Sequence, residues 1–253
     1  MKCDINFCRF NVFRFFILFL TFNLNYFAFS TCFGQNYDDL GSWNILNARF
    51  ELNPKWSISA EAQIRSLKFY DDFHYYETKA VVSYKLSDQI SVGFGAGTYQ
   101  TYRSGGDFVT PKVNNEIRLF PYVSFHNTLG RLKIENRYRL ENRFTSKGYR
   151  LRVRYRLQAI LPINTPKIVP KTIYGVIWNE LFMTNEPAYF QRNRFFVGVG
   201  YEFSHKFATQ IGWINQFDYS VDDETGKNFL QISLLFSFKK KKGNYQEIHV
   251  PEE

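Results

Sequence analysis

The chain has 253 residues, with 32 Lys and Arg against 23 Asp and Glu, a formal net charge of +9, 19% aromatic residues and 45% apolar residues. That length accommodates one large all-β domain or two small ones. The aromatic and apolar content excludes an intrinsically disordered chain, and the three cysteines exclude a disulfide scaffold.

Residues 1–34 read as a cleaved secretory signal. Lys2, Arg9 and Arg14 form a positive leader, Phe15 to Phe29 an apolar stretch, and Ser30 to Gln35 a short polar-small segment. Gly34 stands before the expected cut and Gln35 becomes the new N-terminus. A transmembrane anchor fits less well, because Asn23 and Asn25 interrupt a run already short of the roughly 20 residues that a spanning helix needs. Acylation at Cys32 also fits poorly after Phe29-Ser30-Thr31. Cleavage removes Cys3, Cys8 and Cys32, so the mature chain has no cysteine.

From Gly41 onward the dominant signal is alternation. In 149–158, Tyr-Leu-Val-Tyr-Leu alternates with Arg-Arg-Arg-Arg-Gln, and 56–65, 195–203 and 230–238 follow the same rule. Strands are predicted at 41–52, 56–67, 74–86, 89–102, 114–126, 131–144, 148–161, 171–183, 191–204, 206–219 and 228–238. Twelve residues at about 3.3 Å each, tilted near 45°, cover roughly 28 Å, close to the thickness of a bilayer core. The expectation is an all-β, antiparallel, transmembrane outer-membrane β-barrel over 35–238, followed by a solvated basic tail over 239–253. Bacterial single-chain barrels have even strand numbers, so ten or twelve are expected, with the first strand or the 162–173 stretch miscounted.

Tight turns at 53–55, 87–88, 127–130 and 204–205 define one rim. Longer loops at 68–73, 103–113, 184–190 and 220–227 define the other, the asymmetry of outer-membrane barrels. The 145–147 turn is short for its rim, and the Pro-rich 162–170 segment is long for its own. Trp43, Trp56, Tyr75, Tyr76, Tyr99, Tyr102, Tyr149, Tyr189, Phe190 and Tyr219 lie near strand ends, where interfacial girdles belong. Phe236 and Phe238 end the last strand, like the terminal aromatic read by barrel-assembly machinery. A secreted soluble barrel alternates equally well, with its apolar face turned inward.

The segment Glu135-Asn136-Arg137-Tyr138-Arg139-Leu140-Glu141-Asn142-Arg143-Phe144, the arginine ladder of 149–158 and the early strands of Trp43 and Trp56 together resemble family 2490 of the domains of unknown function. The resemblance covers about residues 36 to 238. It implies a secreted outer-membrane barrel of Bacteroidota-like bacteria and supplies no catalytic residue.

With the apolar faces in lipid, the other faces line the lumen. The candidate lining is Arg137, Arg139, Arg143, Arg150, Arg152, Arg154 and Arg156, with Glu61, Glu77, Glu116, Glu135, Glu141 and Glu202. Gln63, Arg65, Lys79, Arg118, Lys133, Arg192 and Arg194 join them. Unpaired charge in a narrow barrel is costly, so cross-strand Arg–Glu pairing is expected. That network either fills a structural barrel or lines a narrow, anion-selective passive pore.

Chemistry has little support. His74 beside Asp71 and Asp72 offers an Asp–His pair at the loop rim, whereas His126 and His205 lie in tight turns and His249 in the tail. No nucleophile elbow or zinc spacing occurs. The glycines of 93–97 and 198–200 precede no helix, which argues against a dinucleotide site; at period two they make room for bulky luminal side chains. No enzyme activity, cofactor or metal is expected, and a secreted strand-rich chain argues against nucleic acid. Lys68, Arg103, Lys112 and Lys147 suit contact with anionic glycolipid phosphates, and the 103–113 and 220–227 loops suit a ligand or glycan. A rim hydrolase using His74 is the enzymatic alternative.

Overall fold

The computed structural model describes residues 35–36, 39–186, 189–219 and 225–239; the signal segment, the tail beyond Lys239 and part of the 220–227 loop lie outside them. Twelve strands follow in chain order: β1 (Gln35–Asn36), β2 (Gly41–Glu51), β3 (Trp56–Lys68), β4 (Asp71–Lys85), β5 (Ile90–Arg103), β6 (Val109–Leu129), β7 (Leu132–Thr145), β8 (Gly148–Pro162), β9 (Ile173–Thr184), β10 (Phe190–Ser204), β11 (Phe207–Asp218) and β12 (Thr225–Lys239). Strands β2 to β12 form an antiparallel meander that closes when β12 pairs with β2.

The barrel has eleven strands, so the expected even number is not met. An odd up-and-down meander brings its first and last strands together pointing the same way, and the β12–β2 seam is accordingly parallel, running from Phe229↔Gly41 to Lys239↔Glu51. Neither suspected miscount occurs. Gly41–Glu51 is a full strand, and the segment 163–172 is a connection between β8 and β9. The two-residue β1 lies along β12 ahead of β2.

Register fixes the barrel's dimensions. Followed across the strands from Arg154, the ladder reaches β12 at Thr225 in one direction, through Phe182, Arg192 and Asp218. In the other direction it returns to β12 at Lys239, through Arg139, Tyr122, Gly93, Ser83, Ser57 and Glu51. The resulting shear of 14 (residue 239 less residue 225) gives a strand tilt of about 42° and a backbone radius of about 11 Å. Arginine and aromatic side chains reaching inward from opposite walls span most of that width.

The loop rim is less uneven than predicted. The β3–β4 connection is only Phe69 and Tyr70, and β6 begins at Val109, inside the predicted 103–113 loop. Pairing persists there because the Asp72 carboxylate accepts the backbone N–H groups of Gly105 and Gly106 at 3.1 Å, while Phe73 N–H donates to Asp107 Oδ1 at 2.8 Å. On the opposite rim the 163–172 segment folds over the barrel end. Ile168 enters the apolar core, and Lys171 N–H and Glu202 N–H donate to Glu202 and Thr172 carbonyls.

The apolar face points outward: Leu46, Val82, Phe94, Ile117, Val153, Ile177, Val199 and Ile211 are exposed, whereas the alternate polar residues are buried. The polarity is the reverse of a soluble barrel. Two close approaches explain the glycines. The Phe120 ring lies where a Cβ of Gly95 would be, and the Tyr174 ring where that of Gly200 would be.

The girdles need one correction. Trp43 and Tyr99 are buried in the lumen, and Tyr75 packs there under the Arg65 guanidinium. Each shares its strand face with luminal residues: Trp43 with Asn47, Tyr75 with Glu77 and Lys79, Tyr99 with Gly95 and Gly97. Position near a strand end did not distinguish the faces; parity does. Trp56, Tyr149, Tyr189 and Tyr219 are exposed, and Phe238 stacks on Phe50 at 4.9 Å across the seam.

Candidate functional site

Charged side chains of β3, β4 and β6 to β9 meet in the lumen as three main networks. In the first, Lys79 Nζ lies 2.6 Å from Glu61 and 3.1 Å from Glu77, and Arg65 lies 3.3 Å from Glu77. Tyr75 donates to Glu77, Asn47 Nδ2 donates to Glu61 at 2.7 Å, and Trp43 Nε1 donates to Gln63 at 2.9 Å. In the second, the Glu116 carboxylate accepts Arg118 at 2.6 and 3.1 Å and Arg143 at 2.5 and 2.9 Å.

The third network lies at mid-barrel. Arg152 donates to Glu141 through Nε and Nη2 at 2.8 and 2.5 Å, and Arg154 bridges Glu141 at 2.7 Å to Glu180 at 2.7 Å. Each carboxylate thus serves as a fork for guanidinium donors, the geometry that makes buried ion pairs tolerable.

Aromatic rings separate the guanidinium groups. Trp43 lies between Arg65 at 3.3 Å and Arg194 at 4.8 Å, measured to the ring centroid. Arg118 covers Tyr99 at 3.6 Å and Arg139 covers Phe120 at 4.5 Å, while Phe182 receives Arg154 at 4.6 Å and Arg194 at 4.8 Å. Such contacts let a cation lose water against a negative ring face. On β9 to β12, Tyr174, Trp178, Phe196, Ile214 and Phe229 belong to an apolar cluster with Trp43 and Ile45 of β2, interspersed with buried Glu180, Arg194, Gln210, Gln231 and Ser233. At mid-depth the lumen is filled: Trp43, Phe196 and Glu141 are each 0% exposed and Arg154 is 3% exposed.

The outlying candidates sit at the rims. Arg150 pairs with Glu186 at 3.3 Å at the loop rim. Deeper in the lumen, Arg139 lies 3.8 Å from Glu141 of the third network, and Arg137 lies 4.0 Å from Glu135, which also accepts Ser124 at 3.2 Å. Glu202 is half-buried at the turn rim and, among the described residues, its carboxylate joins no arginine; the folded 163–172 segment occupies the neighbouring space.

Glu180, Phe182 and Phe120 were not among the expected lining. β9 is apolar on both faces, so Glu180 stands alone within Tyr174-Val176-Trp178-Glu180-Phe182 and gives no alternation signal. The Asp–His pair does not form. Asp72 is occupied by the Gly105 and Gly106 N–H groups, and His74 Nδ1 is buried without a hydrogen-bond partner among the described residues. His126 accompanies Ser91 at 2.8 Å near the turn rim.

Neither a curated protein nor a solved structure matches the chain. A family model described as a protein of unknown function, DUF2490, matches residues 40–227, from the start of β2 into β12. By that match, which takes in ten complete barrel strands and all three luminal networks, the chain belongs to the DUF2490 family.

Proposed function

We propose that this chain is an exported barrel of a Gram-negative outer membrane, working as a structural barrel whose own side chains close the lumen. The observation that carries this reading is the reversed polarity: exposed aliphatic and aromatic residues outside, and an ion-paired interior. An apolar surface this continuous is unfavourable in water and suits hydrocarbon. The outward Phe236 and Phe238 at the end of β12 suit the barrel-assembly machinery, and residues 1–34 provide the export signal.

Filling at mid-depth favours a closed barrel over a static anion-selective pore, because a water-filled lumen requires accessible walls. The test is conductance in a planar bilayer, using protein shown to be folded by its heat-modifiable gel mobility. A silent membrane is expected. Stable anion-biased steps that fall on replacing Arg152 and Arg154 would establish the pore instead.

A second reading rests on Lys68, Arg103, Lys112 and Lys147. All four are exposed at the loop rim, beside the outward Phe69, Tyr70 and Tyr149. Cations at that height suit the phosphates of anionic glycolipids. Neutralising all four is expected to weaken association with anionic glycolipid vesicles while leaving folding intact; unchanged association would remove this reading.

A further inference from the structure

Three polar side chains at the turn-rim mouth of the lumen are arranged as an activated nucleophile requires. Ser91 is the second residue of β5, His126 lies three residues before the end of β6, and Glu135 lies three residues after the start of β7. Because β6 runs on to Leu129, His126 is a strand residue and not the turn residue expected from the sequence. Ser91 pairs with Ser124, Ser124 with Arg137, and His126 with Glu135. Parity therefore puts all three on the luminal face, with buried Ser124 and Arg137.

Ser91 Oγ lies 2.8 Å from His126 Nε2. With Nε2 accepting that hydroxyl, Nδ1 carries the ring proton and faces Glu135 Oε2 at 3.9 Å. This separation is longer than a hydrogen bond, a looseness common to such groups before substrate is bound. Glu135 is held from its other side, where Oε1 accepts the Ser124 hydroxyl at 3.2 Å and the Arg137 guanidinium lies 4.0 Å away. The backbone is fixed as well, since His126 N–H donates to the Gln89 carbonyl at 2.7 Å. The His126 side chain is 42% exposed and that of Glu135 21%, so a small solute reaches them at the turn rim, short of the filled mid-lumen. Lys85 stands directly opposite Ser91 on β4, its Nζ 3.1 Å from the exposed Asp88 carboxylate. Residues so paired have Cβ atoms about 5 Å apart, which puts a cation beside the Ser91 hydroxyl.

We propose that Ser91, His126 and Glu135 form a hydrolytic site for small, water-soluble carboxylic esters. A serine bonded to a histidine that a carboxylate orients is defined by geometry, whatever the fold or chain order. Ser91 Oγ adds to the ester carbonyl carbon as its proton passes to His126 Nε2. Lys85 offsets the charge of the tetrahedral oxyanion. The oxyanion collapses, the bond to the alcohol oxygen breaks, and His126 gives that oxygen the proton. Water then attacks the acyl-serine, its proton passing through His126 to Ser91 Oγ as the carboxylic acid leaves. Glu135 is a positioning residue: it orients the ring and stabilises the imidazolium. The substrate is small because the filled mid-lumen closes the site from within, and soluble because the site faces the lumen and not lipid. The site belongs to the folded barrel, in detergent as in a membrane.

The test follows hydrolysis of p-nitrophenyl acetate by the detergent-folded, full-length mature protein, and its labelling by a fluorophosphonate, the adduct located by peptide mass spectrometry. Every variant is first shown to be folded by its heat-modifiable mobility. Turnover and an adduct on Ser91 are expected. Ser91→Ala and His126→Gln are each expected to lower kcat by about 100-fold or more. Glu135→Gln is expected to lower kcat by about tenfold or more with KM unchanged, and Glu135→Asp to recover part of the loss. Turnover by the folded protein no faster than by Ser91→Ala would overturn the proposal, leaving Ser91 and His126 as a hydrogen bond of the rim. An adduct confined to another residue would also overturn it, as would turnover that survives His126→Gln and is lost in His74→Ala.

Discussion

Val197→Arg separates a lipid-facing surface from a wet one. Val197 is the central residue of the fifteen-residue β10, is 44% exposed, and pairs with Ile177 on one side and Trp213 on the other. Seven residues on either side, at about 3.3 Å each and a tilt of about 42°, place it about 17 Å from both rims, a height that the proposed membrane insertion puts at the middle of the bilayer core. Arginine there is expected to cost about 2–4 kcal/mol, falling to about 0–1 kcal/mol near the interface. Phe203→Arg, at the turn-rim end of the same strand, is the control for the smaller value. The assay is equilibrium unfolding by guanidinium from lipid vesicles, followed by tryptophan fluorescence. A cost for Val197→Arg within about 0.5 kcal/mol of zero, as for ordinary surface substitutions in water, would refute the placement.

Glu141→Gln leaves three arginines around an uncharged amide and is expected to cost about 3–5 kcal/mol; Glu141→Leu combined with Arg152→Leu is expected to recover part of it, measured by the same unfolding. Gly95→Val drives two methyl groups toward the Phe120 ring and a methyl of Val81, an overpacking cost of about 1–3 kcal/mol that Phe120→Ala in the same chain is expected to relieve. The silent planar bilayer completes the set.

Alternation at period two made the strands legible because each step along a strand changes face. It could not say which face was inside, since a soluble barrel has the same pattern with the opposite polarity. The arginines of β7 and β8 were visible for the same reason: Arg152, Arg154 and Arg156 alternate with Val153 and Tyr155, so chemistry and parity coincide. Glu180 was hidden because both faces of β9 are apolar. Trp43 and Tyr99 were misplaced because a girdle and a luminal stack against arginine use the same residue types. The odd strand number was read directly from the pattern, but the rule of even numbers argued against it. A parallel seam is a long-range pairing with no local sequence mark. The shortened loops depend on Asp72 reaching Gly105 and Gly106, more than thirty residues away, which no local turn signal conveys.

The four tryptophans test the central claim, because two face each way: Trp56 and Trp213 are 44% and 41% exposed, while Trp43 and Trp178 are 0% and 2% exposed. The most direct measurement is fluorescence quenching of single-tryptophan variants, reconstituted in vesicles of lipids brominated at defined acyl depths. Trp213, midway along β11, is expected to be quenched most strongly by deep bromine. Trp56, at the start of β3, should respond to shallow bromine, and Trp43 and Trp178 should respond to neither. Quenching of Trp213 and Trp56 by aqueous iodide with no effect of brominated lipid would contradict the account, because the apolar face would then lie in water.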